Sequence, residues 1–176
     1  MEQSTEAVDM PADAAGNDPL AEIDQIMRTR RDEDRESADR AAHLLAERSE
    51  FSEEFVRVCE VQVRPAMEAV IERLRQNGGG GVIEERAEDL ARNQAHRLTL
   101  WMSFKGEIVG TPRPDRNPYL QLDATVTKRV VTVSEGDMWQ GHGGGRSGRT
   151  GEWQLSEITA ALVTETILEI IRRAFH

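Results

Sequence analysis

From Phe51 onward the apolar residues recur at helical spacing. Phe51, Phe55, Val58, Cys59, Ala66, Met67, Val70, Ile71 and Leu74 share one face, with Glu, Arg and Gln opposite, the pattern of a helix that buries one side. Pro65 lies inside this run. It has no amide hydrogen to donate and crowds the preceding turn, so a kink or break is expected near Val63–Arg64. Asn77 and the glycines Gly78 to Gly81 then predict the helix end, because glycine accepts the left-handed conformation of a helix stop.

Beyond the glycines every second residue is apolar. Leu98, Leu100, Met102 and Phe104 alternate with Arg97, Thr99, Trp101, Ser103 and Lys105, which predicts a half-buried antiparallel strand. A second strand repeats the scheme, with Leu120, Leu122, Ala124 and Val126 inward and Gln121, Asp123 and Thr125 outward. The alternation slips by one at Lys128–Arg129, and a turn or bulge there returns Val131 and Val133 to the apolar face. Residues 81–85 and 152–155 are weaker strand candidates. The three prolines within 110–118 demand a loop. A closing helix is expected from Glu157 to Ala174, capped by Ser156, with Val163, Ile167, Ile170, Ile171 and Ala174 as its buried stripe.

The expected fold is therefore α+β: an antiparallel meander of four or five strands flanked by a long N-terminal helix and a C-terminal helix, in two layers. The sheet face turned away from the helices should be polar and open. On it Trp101 stands beside Arg97 and Thr99 and, across a strand pair, near Gln121 and Asp123. A large aromatic among polar groups is a common interface anchor, so these five residues are the candidate interface. Trp153 shares parity with Leu155 and is assigned to the core.

Composition divides the chain. Residues 1–50 hold 6 of the Leu, Ile, Val and Phe residues, against 32 in residues 51–176, and carry 14 acids to 6 bases. Residues 1–18 are expected to be a disordered acidic leader. Residues 19–50 form a charged helical arm, in which Leu20, Ile23, Ile26 and Met27 keep helical spacing before a run of mixed charge. Residues 51–176 form the α+β domain. The acidic balance argues against nucleic acid, which needs clustered Lys and Arg. A single cysteine fits a reducing compartment, and neither a signal peptide nor a membrane span is legible. A cytoplasmic location is expected.

Chemistry is sparse. Gly143 to Thr150 follow a phosphate-loop pattern except that Arg149 replaces the lysine, but the run after Thr150 reads as a strand where that loop needs a helix. His142 with Gly143, Gly144 and Gly145 spells an oxyanion-hole motif without the nucleophile elbow that must follow. The stretch Gly141–Gly151 is accordingly read as a hairpin connection between a strand ending near Met138 and one starting near Glu152. The histidines at 43, 96, 142 and 176 lack metal-ligand spacing, and His96 is read as a strand-edge residue. Glu84, Glu85, Glu88 and Asp89 form an acidic run read as a solvated loop, and Cys59 is assigned to the core. No cofactor or metal is implied. The expectation is a non-enzymatic cytoplasmic interaction or adaptor module, with a protein partner or a homo-oligomer. The alternative is a small-ligand binding or hydrolytic protein with a pocket between helix and sheet, built from His96, an acid of 84–89 and the glycine loop.

Overall fold

The computed structural model of the chain describes residues 19–89, 92, 94–138 and 145–175. The leader at 1–18 lies outside them, as do His142, His176, Gly141, Gly143 and Gly144. Two compact units divide the chain, one reaching to Leu44 and the other spanning Leu45–His176. Helix α1 (Pro19–Val58) runs through a π-helical segment (Cys59–Val63) into α2 (Arg64–Gln76). Five strands follow: β1 (Gly80–Arg86), β2 (Arg97–Ser103), β3 (Tyr119–Thr125), β4 (Val130–Gly136) and β5 (Ser147–Trp153). Helix α3 (Ala160–Ala174) closes the chain. The strands pair antiparallel in the order β1-β2-β3-β4-β5, giving the two-layer α+β plan that the alternation predicts.

The π segment has a geometric reason. Phe51, Phe55, Cys59, Val63, Met67 and Ile71 are all buried and stand four residues apart. At about 100° per residue each step of four drifts by roughly 40°, so a regular helix would carry the last of them far around its axis. The Arg64 amide donates to the Cys59 carbonyl, five residues back. That wider turn absorbs one residue and cancels about 100° of the drift. Pro65, in the first turn of α2, costs little there because the ladder is already displaced. The irregularity thus precedes the proline, and of the expected kink or break the helix shows no break. Gly78, at φ 79°, ends α2, and the Gly79 amide donates to the Leu74 carbonyl at 2.8 Å.

The core lies between the helices and one sheet face. Leu98, Leu100, Met102, Leu120, Leu122, Ala124, Val131 and Val133 meet Phe55, Val63 and Met67 from the first helices and Val163, Ile167 and Ile170 from α3. Trp153 packs against its edge. The slip at 128–129 is a 3-10 turn (Val126–Lys128) followed by Arg129 in the left-handed region at φ 52°. Two boundaries differ from expectation. A second 3-10 turn (Leu155–Glu157), closed by reciprocal Gln154 and Glu157 contacts, precedes α3. The helix therefore starts at Ala160 under a Thr159 cap, with Leu162 N donating to Thr159 Oγ1 at 3.1 Å, and Ser156 caps nothing. The glycine-rich stretch is also less of a loop than expected. β4 ends at Gly136, and Ser147–Gly151 already pair with it as β5.

Candidate functional site

The face of the sheet turned away from the helices is set out by register in three cross-strand rows. Arg86, Arg97, Asp123, Thr132 and Glu152 form the first, and Glu84, Thr99, Gln121, Ser134 and Arg149 the second. Val82, Trp101, Tyr119, Gly136 and Ser147 form the third. Side chains of directly paired residues point to the same face, so all five sequence-derived interface residues come together on it.

They are tied to one another. Arg97 Nε donates to Asp123 Oδ1 and Gln121 Nε2 to Asp123 Oδ2, both at 2.6 Å. Trp101 Nε1 donates to Glu84 Oε2 at 2.8 Å. The Trp101 and Tyr119 rings lie 5.0 Å apart, and the Tyr119 hydroxyl meets Ser147 Oγ at 2.9 Å. Tyr119 reaches that far because Gly136 has no side chain: a Cβ there would stand 2.5 Å from Tyr119 Cε1. Glu152 pairs with Lys128 and Arg149, and the Lys128 contact above all holds its carboxyl below the usual range. A depression of about 400 Å³ is lined by Arg86, Arg97, Thr99, Trp101 and Gln121 among others.

Burial qualifies the expectation of an open aromatic. Trp101 does point away from the helices, but only 8% of it is accessible, and Thr99 is buried as well. The tryptophan lies under its neighbours in the sheet. What the face offers a partner is mainly charge and hydrogen-bonding groups: Glu84, Arg86 and Arg149 are exposed, and Arg97 and Gln121 half-buried.

Glu84 and Glu85 correct the reading of 84–89 as a solvated loop, for both belong to β1. Glu85 faces the helices. It pairs with Arg64 of α2 and meets His96 Nε2 at 2.9 Å. His96 is buried, with its ring edge-on to Phe55 at 5.5 Å, so it is more enclosed than a strand-edge histidine. Cys59 lies nearby in the electrostatic sense. Burial first, and the Glu85 charge second, push its thiol up to about 12, which keeps it protonated and inert as a nucleophile.

A second helix-facing carboxylate behaves in the same way. Glu135 of β4 meets Arg173 of α3 at 3.0 Å, and Arg173 also reaches Asp137 at 3.2 Å. Burial alone would lower the Arg173 pKa, but the two carboxylates outweigh it and raise it. Asp137 and Arg146 hold the mouth of the β4–β5 connection: the Asp137 amide donates to the Arg146 carbonyl at 3.0 Å, and the Arg146 amide to Asp137 Oδ1. That connection adjoins the row of Tyr119 and Gly136, whereas His96 precedes β2 beside the row of Arg86 and Asp123. The groups required by a helix–sheet pocket therefore stand at opposite ends of the sheet. Tyr119 and Glu135 are the residues that sequence reasoning missed; Glu84 and Glu85 were named in the acidic run, and the alternative set an acid of that run beside His96, as the Glu85–His96 contact does.

Comparison with protein-family models, with curated proteins and with solved structures returns no match for this chain. Among the described residues no helix is long and apolar enough to cross a membrane, and no group of three or more His, Cys, Asp and Glu could hold a metal ion.

Proposed function

We propose that this chain is a non-enzymatic protein-interaction module that works in the cytoplasm as part of an assembly. One observation carries the reading. Every residue from Leu20 to Ala46 is helical and exposed, yet Ile23, Ile26, Met27 and Leu44 are each about half accessible or more. A helix whose apolar residues stay this exposed gains little stabilisation from burying them. Large apolar side chains clustered on such a helix are the usual mark of a surface meant for another protein. The charged sheet face supplies a second, polar surface of the kind that steers association.

The alternative, a small-ligand or hydrolytic site between helix and sheet, draws on the His96–Glu85 pair alone. In that pair His96 is buried with its ring edge-on to Phe55, while Glu85 is exposed and engaged by Arg64. The test is capture from native lysate by the tagged full chain, compared with an Ile23→Glu/Met27→Glu variant. Proteins, including untagged copies of this chain, retained by the first and lost by the second support the proposal. Identical capture by both would refute it. Ligand-induced thermal stabilisation that His96→Gln abolishes would move the conclusion to the alternative.

A further inference from the structure

We infer that the arm pairs with the arm of a second copy of this chain, antiparallel, in one register. Leu20 faces Leu44 of the second copy, Ile23 faces Ala41, Met27 faces Ser37 and Arg30 faces Asp34. The inference rests on the interaction reading above and names its partner.

Positions 20, 23, 27, 30, 34, 37, 41 and 44 follow alternating steps of three and four, the spacing of a coiled-coil seam. The steps read the same in both directions, so a reversed copy of the helix fits the same seam. All eight residues are exposed. Further along, the seam continues through Arg48 to Phe51 and Phe55, where the fold's own core takes it up. The part left uncovered thus ends at Leu44.

Charge decides the orientation. The ends of the seam are apolar and its centre holds Arg30 and Asp34. Parallel pairing would set Arg30 against Arg30 and Asp34 against Asp34, two like-charge contacts inside the interface. Antiparallel pairing replaces both by Arg30–Asp34 contacts, twice over by symmetry. Within one chain Arg30 already leans on Asp34 at 3.4 Å, with both side chains about two-thirds exposed, so the pair can re-form between chains with little rearrangement. Arg31 and Glu33 flank the dyad and face their own copies, which limits the affinity. The dimer is therefore expected to be concentration-dependent rather than permanent.

Sedimentation equilibrium of the full chain should show a monomer–dimer equilibrium. Arg30→Asp alone and Asp34→Arg alone each set like charges across the seam, and each should weaken the dimer at least about tenfold. Mixed in equal amounts, the two variants should regain wild-type affinity as a heterodimer, visible by native mass spectrometry, although each still lacks its own in-chain pair. Orientation is read from disulfide trapping. Cys59 is 3% exposed and does not compete. Ile23→Cys should cross-link to Ala41→Cys in a mixture and neither variant to itself. Self-linking of Ile23→Cys, or no rescue on mixing, would overturn the pairing. A chain that stays monomeric throughout the series also overturns it. In that case capture of other proteins through Ile23 and Met27 leaves the interaction reading standing, and its absence removes both.

Discussion

Gly136→Ala is the sharpest probe of how the uncovered sheet face is held. The added Cβ would lie 2.5 Å from Tyr119 Cε1 and 2.9 Å from Cδ1, against an ordinary carbon–carbon separation of about 3.5–4.0 Å. Gly136 is not among the positive-φ residues, so backbone strain is not involved and the whole effect comes from the ring. Tyr119 must move by about 1 Å, a shift that costs about 1–3 kcal/mol as overpacking. The shift also breaks the hydroxyl contact with Ser147, worth about 0.5–1.5 kcal/mol. A loss of about 2–4 kcal/mol by urea denaturation is expected, with a change in Trp101 fluorescence because the two rings touch. The Tyr119→Phe background keeps the ring and should keep most of the penalty. In the Tyr119→Ala background the new methyl loses its three nearest contacts, all ring atoms, and Gly136→Ala should become neutral or stabilise by about 0.5–1 kcal/mol through reduced chain entropy. The cycle should thus yield a coupling of about 2 kcal/mol or more. Equal effects of Gly136→Ala with and without the ring would show that Tyr119 does not cross the sheet at this point.

Other expectations are simpler to test. Thr159→Ala should cost about 1 kcal/mol as the loss of a helix cap, and Ser156→Ala should stay within about 0.5 kcal/mol, both read from thermal or urea melts. Cys59 gives an alkaline signature: the unfolded thiol ionises from its ordinary value of 9.0, while burial holds the folded one protonated up to about 12. The thiol's contribution is therefore intact below about 9 and lost as pH rises toward 12, at up to about 1.4 kcal/mol per unit. Cys59→Ala should flatten that slope in unfolding curves taken above pH 9, and iodoacetamide should label the wild type only after unfolding. Changing Ser147, Arg149 and Thr150 together to glycine should cost about 1.5–3 kcal/mol if they are strand residues, whereas a loop at these positions would show almost no change.

What could be read in advance depended on which force places each residue. Leu98, Leu100, Leu120 and Leu122 announce their faces because burial enforces strict alternation, and the slip at Lys128–Arg129 is legible for the same reason. Ser147–Gly151 carry no such pattern. Their strand exists because their backbone pairs with β4, an interaction that leaves no mark in side-chain polarity. Trp101 shows the limit of parity, which gives the direction of a side chain but not what lies over it. Its burial depends on Tyr119 and Glu84 from neighbouring strands. Glu85 and Glu135 look like surface acids until Arg64 and Arg173 are seen to meet them from the helices. Thr159 displaces Ser156 as cap because the intervening 3-10 turn uses Gln154 and Glu157, a short-range competition between two adequate solutions.

The strand order has a kinetic consequence. Each strand pairs only with its neighbours in sequence, so the meander can zip up one hairpin at a time, each closing a loop far shorter than the span between the helices and losing modest chain entropy at each step. The helical layer is different. The Ala160 amide donates to Gln62 Oε1 across 98 residues of chain, and α3 packs on α2 only after the whole sheet lies between them in sequence. Refolding should therefore proceed with early sheet registration and a later, rate-limiting return of α3 to its partner. Until α3 docks, the part of the meander's apolar side that Val163, Ile167 and Ile170 cover stands open, and that intermediate is the species most prone to aggregate.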